Sequence, residues 1–179
     1  MTSEEFARKQ IDFEGGVEKA SFPFTPDADM QGPYTGVGND NQYGQQYEAI
    51  LNSIMNAEFS AIQREYDRAC IGEYSGGRTA LSHSEIDHFW ISLRSSFPNA
   101  EFKVHHRIGR DDPMMSPRAA IRWSLHGKHE GYGAFGKPTG KDVYIMGISH
   151  AEFGPWGLRR EFTLIDEAAI WKQILIQQG

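Results

Sequence analysis

The residues best suited to acid–base chemistry lie in the second half of the chain. All seven histidines follow position 82, and two carboxylates, Glu161 and Asp166, flank a segment with the alternation of a β-strand. A carboxyl or imidazole group in a partly apolar cavity has a shifted pKa, which suits it to proton transfer. We therefore predict Glu161 or His150 as the acid or base, with His129 as a catalytic partner. Asp166 is better explained as a helix N-cap.

Three further residues are predicted to line the same site. His106 alternates with charged neighbours and shares a strand face with Phe102 and Val104, so its side chain is expected to point inward. Arg122 and Trp123 lie on the next predicted strand. We expect His106 and Arg122 to be hydrogen-bonding or electrostatic partners and Trp123 to be an apolar wall of the substrate site. The alternative for His106 is an ordinary hydrogen-bonded place in the core.

A glycine-rich run, Gly131 to Gly136 followed by Lys137, matches the letters of two nucleotide-binding motifs. In both motifs the glycines lead into a helix whose N-terminal amides hold a phosphate. Here the chain continues through Pro138 and Gly140 into a predicted strand, and Pro138 stands where the phosphate-binding loop needs Ser or Thr. We interpret the run as a hairpin connection and predict no nucleotide cofactor.

Metal and nucleophile chemistry have less support in the spacing. His126 and His129 fall on opposite faces of one predicted strand. His150 and Glu152 share a face, but a two-histidine, one-carboxylate site needs a third ligand from a neighbouring strand. No serine lies in a nucleophile elbow. Cys70 lies in a stretch of helical periodicity and is predicted to be a packing residue. We expect neither a metal nor an organic cofactor.

Length and composition fit one ordinary globular domain. The chain has 179 residues, of which 39% are hydrophobic and 23% charged. The net charge of −6, without a basic stripe, argues against nucleic-acid binding. No window approaches 18 apolar residues, and the N-terminus lacks the apolar segment of a signal peptide. We expect no membrane association and a cytoplasmic location, where a single cysteine forms no internal disulfide.

Periodicity divides the chain into an arm, three helices and four strands. Residues 1–42, rich in turn formers, are predicted to be an extended arm. Helical spacing predicts a long or broken helix over 43–66, and Ser82 with Glu85 forms a capping box for a second helix. Alternation predicts strands over 101–108, 119–129, 143–153 and 158–165, followed by a helix that Asp166 caps.

This order of elements predicts the architecture of residues 43–179. The short loops between the strands imply antiparallel neighbours. Helices followed by such a sheet give an α+β domain, in which a curved antiparallel sheet wraps around about three helices and encloses a cavity open at one end.

The second half of the chain resembles the SnoaL-like branch of the nuclear transport factor 2-like superfamily. The motifs of that branch appear in the same order here, and the similarity covers about 43–174. They are Arg122-Trp123, Gly127-Lys128-His129-Glu130-Gly131, Gly136-Lys137-Pro138-Thr139-Gly140, Arg160-Glu161-Phe162, and Asp166 with Gln173. The resemblance implies a cone-shaped α+β fold with a deep apolar cavity, dimerisation through the outer sheet face, and a small hydrophobic ligand. It also implies cofactor-independent chemistry such as polyketide cyclisation, isomerisation or dehydration.

Two positions depart from the branch. The resemblance places Thr163 where the characterised cyclases have their aspartate acid/base, and Ser149 where that aspartate has a histidine partner. Threonine cannot act as that base. The leading hypothesis is therefore a protein that binds a hydrophobic carbonyl compound and transfers protons through Glu161 or His150. The alternative is a non-catalytic ligand-binding or dimerisation module of the same fold.

Overall fold

The structure, a computed structural model, describes residues 38–58 and 60–176. Their order confirms the predicted α+β class. The helices are α1 (Gln42–Met55), α2 (Ala61–Glu65), α3 (His83–Ser96) and α4 (Glu167–Leu175). The strands are β1 (Tyr66–Tyr74), β2 (Arg78–Ala80), β3 (Glu101–Arg110), β4 (Arg118–Lys128), β5 (Asp142–Gly154) and β6 (Gly157–Ile165), with a 3₁₀ turn at Ser75–Gly77 between β1 and β2.

Side-chain caps fix the starts of the three longer helices. The Asn41 side chain accepts a hydrogen bond from the Tyr43 amide at 2.9 Å and caps α1. Ser82 accepts one from the Glu85 amide at 3.3 Å, which is one half of the predicted capping box, and the Glu85 carboxylate accepts from the Leu81 amide at 2.6 Å in place of the Ser82 amide. Asp166 caps α4 by accepting from Ala169 at 2.9 Å. Each cap satisfies an amide that the first helical turn leaves without a partner.

The strands form one curved, unclosed sheet in the order β2-β1-β6-β5-β4-β3. The neighbours from β3 to β6 are antiparallel, as the short loops predicted. β1 is different because it runs parallel to β6, which makes the sheet mixed rather than wholly antiparallel. The helices α1 and α3 contribute their apolar stripes to the core that covers the inner face of this sheet.

Of the two alternatives predicted for 43–66, the structure has the broken helix, as α1 and α2, and not one long helix. Helix α1 ends at Met55, and Ala57 follows with φ 61°, a conformation that a helix cannot continue through. Helix α2 is a single turn, after which residues 66–74 form β1. Cys70 therefore lies on a strand, not on a helix. Its thiol is buried as predicted, and burial raises its pKa to about 11.

The predicted inward orientation of His106 is also wrong. The register of β3 against β4 shifts between Val104 and His106, where His105 is the extra residue of a bulge. One inserted residue moves every later side chain to the other face. Val104 lies opposite the inward-facing Trp123, whereas His106 lies opposite Arg122 on the outer face. Ile108, beyond the bulge, is 46% exposed.

Most of the predicted arm lies outside the described residues. At residue 38, the first described residue, Gly38 forms a β-bridge with Arg107 of β3. The Asn39 side chain exchanges hydrogen bonds of 2.9 Å with the backbone of Gly109. This short segment holds the start of α1 against β3. None of the helices in the described ranges is long and apolar enough to span a lipid bilayer.

Candidate functional site

Glu161 is a fully buried carboxyl group surrounded by aromatic hydrogen-bond donors. Tyr47 donates to Oε1 at 2.9 Å. Tyr74 and Trp90 donate to Oε2 at 2.9 Å and 3.2 Å. The residue is 0% exposed, and no described Lys, Arg or His forms an ion pair with it. A buried carboxylate is normally paired with a cation, so the arrangement at Glu161 is unusual.

Four elements bring these groups together. Glu161 lies on β6, which places its side chain on the inner face of the sheet. Tyr47 lies on the buried stripe of α1 and Trp90 on that of α3. Tyr74 ends β1, and its ring folds back over Gly72, where an added Cβ would lie 2.6 Å from the phenolic oxygen. Glycine at 72 therefore leaves the space that Tyr74 needs to reach Glu161.

The electrostatics of the Glu161 site favour a carboxyl group that holds a proton. Loss of solvent raises the pKa of Glu161 above its ordinary value, and the hydrogen bonds from Tyr47, Tyr74 and Trp90 oppose that rise. Burial, together with the charge of Glu161, raises the pKa values of Tyr47 and Tyr74. The phenols thus stay protonated as donors to Glu161.

Two buried hydroxyl groups, those of Ser149 and Thr163, lie next to the Glu161 cluster. Ser149 on β5 lies directly opposite Thr163 on β6, and their hydroxyl oxygens are 2.8 Å apart. Trp123 donates its indole N–H to Ser149 Oγ at 2.9 Å, and its ring packs closely against Gly147. Trp123 is buried on the inner face, as an apolar wall should be, but it also has this polar contact. The two hydroxyls occupy the positions where the resemblance expects histidine and aspartate.

His129 lies apart from Glu161 in the structure. It follows β4, its backbone bonds to residues of the loop before β5, and its ring packs on Phe97 with centroids 5.5 Å apart. Its Nδ1 lies 3.2 Å from the Thr139 hydroxyl, and burial lowers its pKa. The structure therefore does not bring His129 to the carboxyl group that it was predicted to assist.

His150 and Arg122 lie on the outer face of the sheet, with His106. The residues that flank His150 along β5, Ser149 and Ala151, are fully buried on the inner face, so His150 points the other way. It lies opposite Ala120 and Phe162, with ring centroids 5.8 Å apart for the latter pair. Glu161 is thus the one member of the predicted acid–base pair that is enclosed.

The three donors to Glu161 were not predicted as site residues from the sequence. Tyr47 lies in an apolar helical stripe, where an aromatic residue usually indicates only core packing. Trp90 was interpreted in the same way, and Tyr74 lies on a strand that the sequence did not reveal. The available signal was chemical, because a buried Tyr or Trp carries a polar atom that needs a partner.

Two surface depressions flank the buried cluster. An apolar groove of about 240 Å³ lies between α3 and the α1–α2 connection; among the described residues it is lined by Ile54, Ala57, Glu58, Ile62, Asp87, Trp90, Ile91, Arg94, Ser95 and Pro98. A more polar cleft of about 510 Å³ lies on the other side of α3, beside Arg78, Phe89 and Tyr132. Trp90 separates the groove from Glu161, whereas Phe89 stacks on Tyr74 at 3.6 Å between ring centroids.

The glycine-rich run borders the larger cleft and connects β4 to β5, as predicted. A Cβ on Gly131 would lie 1.8 Å from the Ser95 carbonyl oxygen, and one on Gly133 would lie 2.2 Å from that of Ser92. The glycines therefore allow the loop to pack closely on α3. Within the described part of the chain, no group of three or more His, Cys, Asp or Glu side chains is arranged to hold a metal, so His150 and Glu152 have no third ligand there.

Comparison with known proteins gives structural matches only. No protein-family model matches the chain, and neither does any curated protein sequence. A protein of Jannaschia sp. CCS1 assigned as a SnoaL-like polyketide cyclase is 11% identical with a TM-score of 0.62, covering 78% of this chain and 98% of its own. IdmH of Streptomyces antibioticus, assigned as a polyketide cyclase, is 12% identical with a TM-score of 0.60, and the match covers 76% of this chain and 100% of IdmH. An M. tuberculosis LEH-like epoxide hydrolase is 13% identical with a TM-score of 0.53, and the match covers 74% of this chain and 89% of the hydrolase.

These matches establish the fold. The described chain has the SnoaL-like form of the nuclear transport factor 2-like fold, which the motifs after Arg122 predicted.

Proposed function

We propose that this protein binds a small hydrophobic carbonyl compound and transfers protons on it without a cofactor, with Glu161 as both acid and base. The observation that carries the proposal is a fully buried carboxyl group that two phenols and an indole contact and that no described cation neutralises. Desolvation raises its pKa above the ordinary value, and the donated hydrogen bonds oppose that rise. The proposed reactions are cyclisation, isomerisation and dehydration.

The chemistry follows from the two states of Glu161. As a carboxylate it removes a proton from a carbon beside the carbonyl group, and the electron pair of the broken C–H bond passes into an enolate. Burial favours the neutral acid, so the proton stays on Glu161 until it is returned to a different atom of the same molecule. An enclosed site that excludes water strengthens each of these interactions.

The fold is shared with proteins assigned to this class of chemistry, but the candidate acid/base lies at a different position on the strand. Structural neighbours assigned as polyketide cyclases, and one as an epoxide hydrolase, share the architecture. Glu161 lies two residues before Thr163 on the same strand, so both face inward. We infer that Glu161 takes the acid–base role that threonine at 163 cannot fill.

The experiment is a screen of hydrophobic ketones for turnover, followed by Glu161→Gln. The matched control is Glu152→Gln, which removes an outer-face carboxylate paired with Arg160 at 3.6 Å. Loss of the acid/base should lower kcat by about 10²- to 10⁴-fold, and the control should turn over normally. A folded Glu161→Gln variant with wild-type kcat would refute the proposal.

The alternative is a non-catalytic ligand-binding module. Both oxygens of Glu161 already accept hydrogen bonds, and Ser149 and Thr163 bond to each other, so the inner polar groups are largely satisfied without a substrate. This alternative predicts saturable ligand binding by the wild-type protein with no product over prolonged incubation.

We also propose a homodimer formed through the outer sheet face. Ile108, Met146, Ile148 and Leu164 expose between 46% and 63% of their surface there, and apolar surface of this kind is commonly buried in an interface. Sedimentation should show a dimer that Ile148→Glu converts to a monomer. Met114→Glu, at a fully exposed side chain, is the control and should leave the dimer intact. A wild-type monomer at micromolar concentration would refute the dimer.

A further inference from the structure

Asp87 on α3 is a half-buried carboxyl group with no bonding partner among the described residues. It lines the apolar groove, and burial raises its pKa above the ordinary value, while the nearby charge of His83 opposes that rise. No described group donates a hydrogen bond to its carboxylate or forms an ion pair with it. A partly desolvated carboxylate without a partner gains free energy when a cation approaches, so Asp87 has an unused capacity to bind one.

The basic residues near Asp87 already bind elsewhere in the protein. Arg94, in the same groove, donates to the carbonyl oxygen of Met55 at 2.7 Å and to that of Phe97. Met55 ends α1 and Phe97 caps the end of α3, so the guanidinium charge lies at the negative ends of two helices. The His83 ring lies against two backbone carbonyl groups, with Nε2 3.0 Å from the nearer oxygen. Neither side chain neutralises Asp87 by a direct contact.

A second carboxylate of the groove, Glu58, adds negative charge. It lies in the α1–α2 connection, and Arg64 approaches it only to 3.8 Å. Both side chains of that pair are 51% exposed, and an exposed ion pair of this kind contributes little. The groove therefore has two carboxylates, at Asp87 and Glu58, and its own cation is held by helix ends. This charge distribution is complementary to a positively charged ligand and opposes a carboxylate or phosphate.

The walls of the groove are apolar and belong to three helices. Ile54 comes from α1, Ile62 from α2, and Trp90 and Ile91 from α3. Ile91 is 42% exposed, which leaves apolar surface that a ligand can cover. A volume of about 240 Å³ suits one or two fused rings better than a larger ligand. The groove thus offers an apolar seat with an unpaired carboxylate, Asp87, among its lining groups.

We infer that this groove is a binding site for a small hydrophobic amine in its protonated form, with the ring system against Ile62 and Ile91 and the ammonium group donating to the Asp87 carboxylate. An ammonium group carries only donors, which matches a carboxylate that carries only acceptors. The inference goes beyond the proposed function and does not depend on it, because Trp90 separates the groove from Glu161.

The test compares three probes that share one ring system. The amine is 2-naphthylmethylamine, the uncharged match is 2-naphthylmethanol, and the anion is 2-naphthoate. Isothermal titration of the wild-type protein at about pH 7, where the amine is protonated, gives their affinities. The amine should bind roughly three- to tenfold more tightly than the alcohol, because only its head group forms a charge-assisted hydrogen bond with Asp87. The anion should bind most weakly.

Variants assign the two parts of the site. Asp87→Asn should abolish the preference for the amine and leave the affinity for the alcohol unchanged. Ile91→Ala should weaken both probes alike, because it removes apolar wall and no charge. The matched control is Glu73→Gln, at an exposed carboxylate of β1 that does not line the groove, and it should change neither affinity. Asp87→Asn also removes a charge that burial disfavours, so urea unfolding should find it no less stable than the wild type.

Four results would overturn the inference. They are equal wild-type affinities for the amine and the alcohol, an amine preference that survives in Asp87→Asn, and no saturable binding of the amine. The fourth is an amine affinity that falls as the protein concentration rises, which would show that a second copy of the chain occupies the groove. None of these results bears on the proton-transfer proposal, which turnover by Glu161→Gln tests separately.

Discussion

Replacing Tyr47 by phenylalanine tests whether the buried carboxyl group titrates. The change removes the 2.9 Å hydrogen bond to Glu161 Oε1 and leaves the ring in the core. A hydrogen bond to a neutral acceptor contributes about 1 kcal/mol to stability, and one to a charged acceptor about 1.5–3 kcal/mol. The destabilisation by Tyr47→Phe should therefore depend on the charge of Glu161.

The sign of this pH dependence follows from the raised pKa of Glu161. A carboxyl group whose pKa is higher in the folded protein loses stability as the pH rises from the unfolded value through the folded one. Without the Tyr47 donor the pKa of Glu161 in the folded protein rises further, so the variant loses more stability than the wild type as the pH rises. The difference in unfolding free energy should grow from about 1 kcal/mol at acid pH toward about 1.5–3 kcal/mol once Glu161 is charged.

Urea unfolding from pH 5 to pH 9 measures this difference. Tyr43→Phe is the matched control, because Tyr43 lies one turn earlier on α1 and packs on Phe153 with ring centroids 5.2 Å apart. The control should show a small effect that does not vary with pH. A Tyr47→Phe effect that is equally flat would refute the reasoning, since it would show that Glu161 keeps one protonation state throughout.

Three further predictions concern single positions. Gly72→Ala should displace the Tyr74 ring and cost about 1–3 kcal/mol in urea unfolding, whereas Gly154→Ala, whose nearest neighbour would be 3.6 Å away, should cost less than about 1 kcal/mol; equal losses would count against the close approach. Cys70 should not react with a thiol reagent in the native protein at pH 8 and should react on unfolding, because burial raises its pKa to about 11; rapid native labelling would contradict this. Burial lowers the pKa of His129, so the unfolded chain binds protons more readily and stability should fall as the pH drops below about 6.5. The variant His129→Leu should lose less unfolding free energy at acid pH than the wild type. An equal loss in both proteins would disprove the role of His129.

The sequence predicted well what local interactions determine. Ser82 and Asp166 cap their helices because a short polar side chain satisfies the nearest amides, and this needs no distant residue. The strands β4 to β6 follow from alternation, because one face of each strand is buried for most of its length. Glu161 was proposed because a carboxyl group at the last predicted strand, if it lay in a partly apolar cavity, would have a shifted pKa.

The failures of prediction occur where distant pairing decides the structure. β1 carries helix-compatible residues, but it becomes a strand because it pairs with β6, about 90 residues away, as in Gly72 with Glu161. Such tertiary pairing overrides a weak local preference. The bulge before His106 is likewise a property of the β3–β4 register, and it reverses the face on which a regular alternation places the side chain.

The candidate site also has a part that local sequence patterns predicted and a part that distant contacts decided. The sequence by itself placed Glu161 on the last predicted strand, because strand periodicity is a local signal, but it left the direction of that side chain open. Only the tertiary structure decided what surrounds that group. Tyr47, Tyr74 and Trp90 come from three separate elements, up to 114 residues from Glu161, and their polar atoms converge because the helices pack on the inner face of the sheet. In the sequence these residues are indistinguishable from ordinary core aromatics, since their function depends on a partner that only folding supplies.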